Sequence, residues 1–233
     1  MAAADSYAAA DNLEIMTEAV RYNAFILDEL QRRFRPGAAI VDFGAGIGTF
    51  PRLLRGKGYS VACVERDAAF ASALEKDGFR VYRGLSEIPP ASLDGAYTLN
   101  VLEHIEDDGA VLKALASKLK SGAALYVYVP AFQFLFSSMD AKVGHLRRYR
   151  KGELVEKMEK AGLRVAEADY VDCVGFFLSI VYKYWGNKNG DLDPGIIRFY
   201  DRWLFPLSRR LDAVAGFFFG KNLAIVGTRG SAS

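Results

Sequence analysis

His104 and His145 are the only histidines of the chain, and each has acidic or basic neighbours. His145 lies in Asp140-Ala141-Lys142-Val143-Gly144-His145-Leu146-Arg147-Arg148-Tyr149, a string too polar to be core material. His104 closes Asn100-Val101-Leu102-Glu103-His104, directly after an apolar run. Imidazole titrates near neutrality, so either ring suits the removal of a proton from a bound reactant. His145 is the expected base, with His104 or Glu103 as orienter or alternate. A structural role for His104, capping the next helix, is equally open. Arg147 and Arg148 can clamp a carboxylate or phosphate, and one of them can instead pair with Asp140 or Glu103. With Tyr149 they form the expected substrate group; solvated loop charge is the plainer reading.

Residues suited to holding a ligand lie upstream. An apolar run, Ala39-Ile40-Val41, ends in Asp42, and Gly44, Gly46 and Gly48 then alternate, with Ala45 between the first two. This chemistry suits a buried strand that turns sharply into a helix. Glycine permits the turn and lets a ligand approach bare backbone, and the helix start offers free N–H groups. About twenty residues on, a second β-branched run ends in Glu65-Arg66, and an acid at that strand tip is placed to grip ribose hydroxyls. The dinucleotide pattern G-x-G-x-x-G is broken, because Thr49 stands where its third glycine would fall.

These residues need a scaffold that gathers strand ends. Leu13, Met16, Val20, Ala24, Leu27 and Leu30 follow helical spacing over 12–34, with a break expected near Ala19–Tyr22, while 1–11 read as a frayed start. Strands are expected over 39–42, 59–64, 79–83, 94–99, 123–129, 163–170 and 223–226. Helices are expected through 52–55 and over 68–76, 107–120 and 151–161. Near-unbroken apolar strands alternating with amphipathic helices argue for a parallel sheet covered on both faces. In such sheets ligands bind beyond the carboxyl ends of the strands. That rule brings together Asp42–Gly48, Glu65-Arg66, Gly84–Ser86, Asn100–His104 and Val129–Phe132. Leu85 would stack on an adenine ring there, and Ser86 would offer it a hydrogen bond.

Asp42-Phe43-Gly44-Ala45-Gly46-Ile47-Gly48 resembles the first glycine-rich loop of the class I S-adenosylmethionine-dependent methyltransferases. Asn100-Val101-Leu102-Glu103-His104 resembles the stretch after their fourth strand in many small-molecule members, and Gly-His-x-Arg-Arg-Tyr occurs in a bacterial subset. The resemblance covers most of the chain to about Tyr170. It implies a Rossmann-like seven-stranded α/β sheet, mostly parallel with an antiparallel last strand and helices on both faces. It implies S-adenosyl-L-methionine as cofactor, its methionine and ribose part in the glycine loop, with Glu65 on the ribose. Asn100, with Val101 and Leu102, would then face the methionine end. The Asn-Pro-Pro-aromatic tetrad of amide and adenine N-methyltransferases is absent, which turns the expectation away from nucleic acid. The implied reaction is in-line transfer of a methyl group to oxygen or nitrogen of a small or lipid-like acceptor. A regulatory or scaffold protein that binds the cofactor without turnover is the alternative.

With 233 residues, 51% hydrophobic and 25% charged, the chain reads as one domain. Its expected parts are an N-terminal helical cover (1–37), a cofactor-binding core (38–171), an apolar helical insert (172–221), and the last strand with a polar tail (222–233). A net charge of +2 leaves no general footprint for nucleic acid. Cys63 and Cys173, far apart in apolar runs, suggest neither a disulfide framework nor a metal cluster, and fit a reducing, cytoplasmic compartment. The alanine-rich start lacks the marks of a signal peptide, and no run reaches the roughly 20 apolar residues of a bilayer span. The insert is rich in aromatics, including Phe176, Phe177, Trp185, Trp203, Phe205 and Phe217-Phe218-Phe219. Lys183, Lys188, Arg198, Arg202, Arg209 and Arg210 outweigh Asp191, Asp193 and Asp201. Ile196, Tyr200, Trp203 and Leu207 share one helical face. Three readings stand: a cap completing the core, a lid over the acceptor, or a peripheral membrane contact.

Overall fold

A computed structural model of the chain describes residues 13–186, 189–191 and 193–230. The expected frayed start, Asn12, Lys188 and the end of the polar tail lie outside the described residues. Seven strands form one sheet in the order β3-β2-β1-β4-β5-β7-β6. They are β1 (Ile40–Phe43), β2 (Val61–Val64), β3 (Val81–Tyr82), β4 (Leu93–Leu99), β5 (Leu119–Pro130), β6 (Leu163–Val171) and β7 (Asn222–Arg229). β1 through β5 pair in parallel, and β7 runs antiparallel between β5 and β6. The expected antiparallel last strand is therefore present, closing the β5–β6 gap from within.

Side chains alternate across this sheet, and each face meets its own helices. Leu125, Val127 and Val129 of β5 join one buried cluster with Leu112 and Leu115 of α4 (Asp108–Lys118) and Leu154 and Met158 of α6 (Lys151–Lys160). Tyr126 and Tyr128 point the other way, to Ile26, Leu27 and Leu30 of α1 (Val20–Arg33) and Leu54 of α2 (Thr49–Arg55). Each fully buried leucine or isoleucine in these clusters contributes about 1.5–3 kcal/mol. α3 (Ala68–Lys76) has the expected bounds and starts where Asp67 accepts hydrogen bonds from the Ala69 and Phe70 N–H groups. The helix expected to reach Lys120 ends at Lys118 instead, because Leu119 is buried and already pairs with Leu93 of β4.

The N-terminal cover differs in phase from the sequence pattern. A helical turn at 13–16 breaks before Val20, and the Asn23 side chain bridges the break by donating to the Met16 carbonyl at 3.0 Å. Asn23 and Ile26 thereby face inward, whereas Val20 and Ala24, expected on the apolar stripe, face solvent.

The insert forms α7 (Cys173–Trp185) and a helical rod of α8 (Pro194–Phe199), a π turn (Tyr200–Leu204) and α9 (Phe205–Ala215). Pro206, which has no N–H, sits at the head of α9. A wider turn just before it accommodates the missing hydrogen bond. That turn brings Tyr200 to the cavity, with Asp201 buried beside it, and leaves Ile196, Trp203 and Leu207 exposed, so the face expected to carry Ile196, Tyr200, Trp203 and Leu207 is split. Buried Asp201 accepts hydrogen bonds from the Arg21 and Tyr22 N–H groups at 2.9 and 2.8 Å, which ties the insert to the start of α1. The Phe205 ring packs on Tyr22 at 5.5 Å.

Candidate active site

A cavity of about 360 Å³ opens beyond the carboxyl ends of β1 and β4, within the size range of small-ligand sites. Its floor is Asp42, Gly44, Ala45, Gly46 and Asn100; its roof comes from α1 and the insert, through Tyr22, Ile26, Ile197, Tyr200 and Asp201. Two elements distant in sequence thus close over the glycine loop.

The loop is left-handed where the sequence has glycine. Gly44 has φ +81°, and a Cβ on it would lie 2.4 Å from Val101 Cγ2. Gly46 has φ +53° and presents bare backbone to the cavity. Gly48, at φ +80°, serves packing, because a Cβ there would lie 2.5 Å from Leu74 Cδ2. Glu65 fastens the loop from the next strand: one carboxylate oxygen accepts from the Gly46 N–H and the other from the Asp67 N–H, both at 2.8 Å. A carboxylate retains lone pairs for further donors after these two.

The other expected residues divide. Arg66 and Ser86 are exposed, and Leu85 packs against the core on a short 3-10 turn. Val101 supports Gly44 from behind, and Leu102 is fully buried core. Asn100 adopts φ +53° and lines the cavity.

Asp42 is 3% exposed, and burial pushes its carboxyl up to about 8; the nearby Tyr97 hydroxyl opposes that rise and Glu65 adds to it. Below that pH Asp42 is neutral in the free protein. A cationic ligand beside it favours the carboxylate, so binding releases a proton and tightens as pH rises, then levels above about 8. Calorimetric S-adenosylmethionine affinities at mildly acidic and mildly alkaline pH should rise in this sense for wild type, and Asp42→Asn should lose the rise. Equal pH profiles for the two proteins would contradict a role for Asp42 beside the cofactor's positive charges.

Both histidines also line the cavity, their ring centroids 4.7 Å apart. A capping box of Ser137 and Asp140 starts the short helix α5 (Ser138–Lys142), and Gly144 at φ +79° turns the chain back so that His145 meets Asp140. His145 Nδ1 lies 2.7 Å from Asp140 Oδ1, and Arg148 Nε and Nη2 each donate to the same carboxylate at 2.8 Å. Burial alone would raise Asp140, but the bonds from His145 and Arg148 outweigh it and hold the carboxyl well below the usual range. Glu103 Oε1 lies 3.7 Å from His145 Nε2. Burial, reinforced by Asp140, pushes Glu103 up to about 8. His104 Nδ1 lies 3.3 Å from the Gly144 carbonyl; partial desolvation, then the neighbouring His145, lowers its pKa to about 4, although its outer surface stays open to solvent.

Of the expected substrate group, only Arg148 reaches the cavity. Arg147 and Tyr149 converge instead on Asp108 at the start of α4, at 3.3 and 2.7 Å. Sequence reasoning did not single out Tyr22, Tyr128, Asp172, Tyr200 or Lys221, all of which line the cavity. A signal existed for Asp172, an acid directly after β6 and so at the strand rim. The other four come from segments that no local pattern connects.

A family model described as a methyltransferase domain matches residues 16–168, and the chain belongs to this family of class I S-adenosylmethionine-dependent methyltransferases. A ubiquinone biosynthesis O-methyltransferase from Xanthomonas campestris pv. campestris is 29% identical over 177 residues, covering 66% of this chain and 70% of that protein. The fold is also that of a SAM-dependent methyltransferase from Archaeoglobus fulgidus, at 17% identity and a TM-score of 0.59, over 89% of this chain and 94% of that one. The protein solved in complex with the Haloferax volcanii Trm112 methyltransferase activator superposes with a TM-score of 0.65 at 20% identity, over 97% and 95% of the two chains. The cofactor is S-adenosylmethionine. The bare glycine backbone, the Asp42 carboxyl and the cavity volume fit that molecule.

Proposed function

We propose that this methyltransferase methylates a small or lipid-like acceptor, at oxygen or nitrogen, in the cavity beneath the insert, and that His145 takes the acceptor's proton. The carrying observation is the His145–Asp140 contact: a proton on Nδ1 donated to Asp140 leaves Nε2 as the free, basic ring nitrogen of a cavity-lining residue. The similarity to a ubiquinone biosynthesis O-methyltransferase favours a hydroxyl as the acceptor group. S-adenosylmethionine supplies a methyl group activated by its sulfonium. Glu65 and Gly46 hold one end of the site, and Asn100 with its neighbours borders the other. The acceptor's electron pair forms the bond to the methyl carbon while the carbon–sulfur pair leaves with sulfur, and the displaced proton goes to His145 Nε2. Asp140, itself anchored by Arg148, fixes the ring and stabilises its charged form. No donor for nucleic-acid phosphate is assigned in this reading. Comparing turnover of His145→Ala with wild type tests it.

In the same reading the described residues of 1–37 and 172–221 act as cover and pocket wall on one core, 38–171, and the strand Asn222–Arg229 completes the sheet. The outward side of the insert favours a second role, contact with an anionic membrane surface. Trp185, Phe199, Trp203, Val214, Phe217 and Phe218 are each more than half exposed, and Arg202 and Arg210 are exposed beside them. Arg209 is not part of this fringe, since it packs on Phe25 and pairs with Asp212. No helix among the described residues is long and apolar enough to cross a membrane, so the contact is peripheral. The protein should float with vesicles containing phosphatidylglycerol at low salt. Arg202→Glu with Arg210→Glu should float less, since each basic residue near such a surface is worth about 1 kcal/mol. Protein that stays at the bottom of the gradient would rule the contact out.

A further inference from the structure

Glu103 is fully buried, and neither of its carboxylate oxygens makes a hydrogen bond of acceptable geometry among the described residues. A buried acid in that condition has no hydrogen bond, only the His145 ring at 3.7 Å, and native proteins rarely leave one so. What surrounds it is chemically specific. One ligand atom each from Glu103, His104 and His145 fall within 4.8 Å of one another, and His145 Nε2 is 3.7 Å from Glu103 Oε1. We propose that these three side chains form a site for a divalent first-row transition-metal ion, Zn²⁺ foremost, at the acceptor end of the cavity.

One nitrogen of each ring already has an oxygen partner, as in metal-bound histidines. His145 Nδ1 meets buried Asp140, and His104 Nδ1 meets the Gly144 carbonyl, so both rings leave Nε2 without its proton. A carboxylate or carbonyl behind each ligating imidazole fixes its tautomer and raises its basicity. Two imidazoles and one carboxylate suit Zn²⁺, and related ions such as Co²⁺, better than Mg²⁺, which prefers oxygen ligands. Zinc–ligand bonds of about 2.0–2.2 Å put tetrahedral ligand atoms about 3.3 Å apart, so the cluster must draw in by roughly 1.5 Å at its widest. His104, exposed on its loop, has room to turn.

Both histidines line the cavity, so the remaining coordination position opens to the acceptor. An acceptor oxygen joining the cation loses its proton near neutral pH, and the proton passes to solvent. The oxygen's electron pair then forms the bond to the methyl carbon, and the carbon–sulfur pair leaves with sulfur. In this form His145 is a ligand and not the base. The cation's role therefore rests on the proposed reaction site, whereas its binding does not.

The test is equilibrium dialysis of the full chain, stripped with chelator, against Zn²⁺, with Co²⁺ absorption as a second readout. One equivalent should bind, and Co²⁺ should give visible bands of a nitrogen–oxygen site. His104→Ala, whose ring lies outside the core, and Glu103→Gln should each weaken binding at least tenfold. Asp140→Asn, acting through His145, should weaken it about 10–100-fold. Circular dichroism checks that each variant is folded, and His104→Ala decides the matter if the buried variants are not. Binding far below one equivalent, or binding that survives in His104→Ala, overturns the proposal. Because no acceptor or turnover enters the measurement, failure to find a methylated product would leave its outcome untouched.

Discussion

His145→Ala should lower turnover by about two to four orders of magnitude, the usual contribution of a positioned base, and leave S-adenosylmethionine affinity nearly unchanged. The two parts of that expectation have separate origins. None of the bonds by which Glu65 anchors the glycine loop involves His145, whose own partners are Asp140 and Glu103, so its loss leaves the loop's fastening intact. It also leaves Asp140 held by Arg148 and by the Ser137 N–H at 2.8 Å, so the loop that carries it keeps its shape. Single-turnover rates with calorimetric cofactor affinities measure both quantities. A rate loss under about threefold would transfer the role to His104 or to alignment alone.

The second large effect is expected at the glycine loop. Gly46→Val should abolish S-adenosylmethionine binding, because a β-branched residue is strained at φ +53° and its side chain would enter the cavity. Glu65→Ala should weaken binding by about ten- to a hundredfold. It frees two loop N–H groups from their charged acceptor and, in the proposed site, also removes the partner of the ribose hydroxyls; hydrogen bonds to charged groups are worth about 1.5–3 kcal/mol. Titration of both variants measures this, with NAD as a control that should give no heat. Near-native affinity in both would dismiss the loop as the cofactor cradle.

What the sequence made legible was local. The path from β1 through the glycine turn and α2 to Glu65 is encoded in one continuous stretch, and the structure closes it with a bond from Glu65 back to Gly46. His145 and Asp140 are five residues apart in one polar string, but the sequence paired Asp140 only with Arg147 or Arg148; the Arg148 bond is present, and the His145 contact was not foreseen. Orientation within such strings was not legible. Arg147, Arg148 and Tyr149 are consecutive, yet Arg148 turns to Asp140 while its two neighbours turn to Asp108. The phase of α1 was hidden because the backbone turns before Val20 are joined by a side-chain bond from Asn23 across the break, which no spacing rule reports. The split face of the insert follows from a π turn ahead of Pro206, which a regular helical period cannot represent. Tyr22, Tyr128, Tyr200 and Lys221 meet only because α1, β5 and the insert fold over one rim, and no spacing rule spans such distances.

The most direct measurement incubates purified protein with methyl-labelled S-adenosylmethionine and a desalted cell extract to which organic-solvent extracts are restored. The label should appear in a small or lipid-like product that partitions away from macromolecules, and His145→Ala should fail to form it. Label confined to protein or nucleic acid, or no transfer at all from a preparation that binds the cofactor, would contradict a methyltransferase acting on a small acceptor in this cavity.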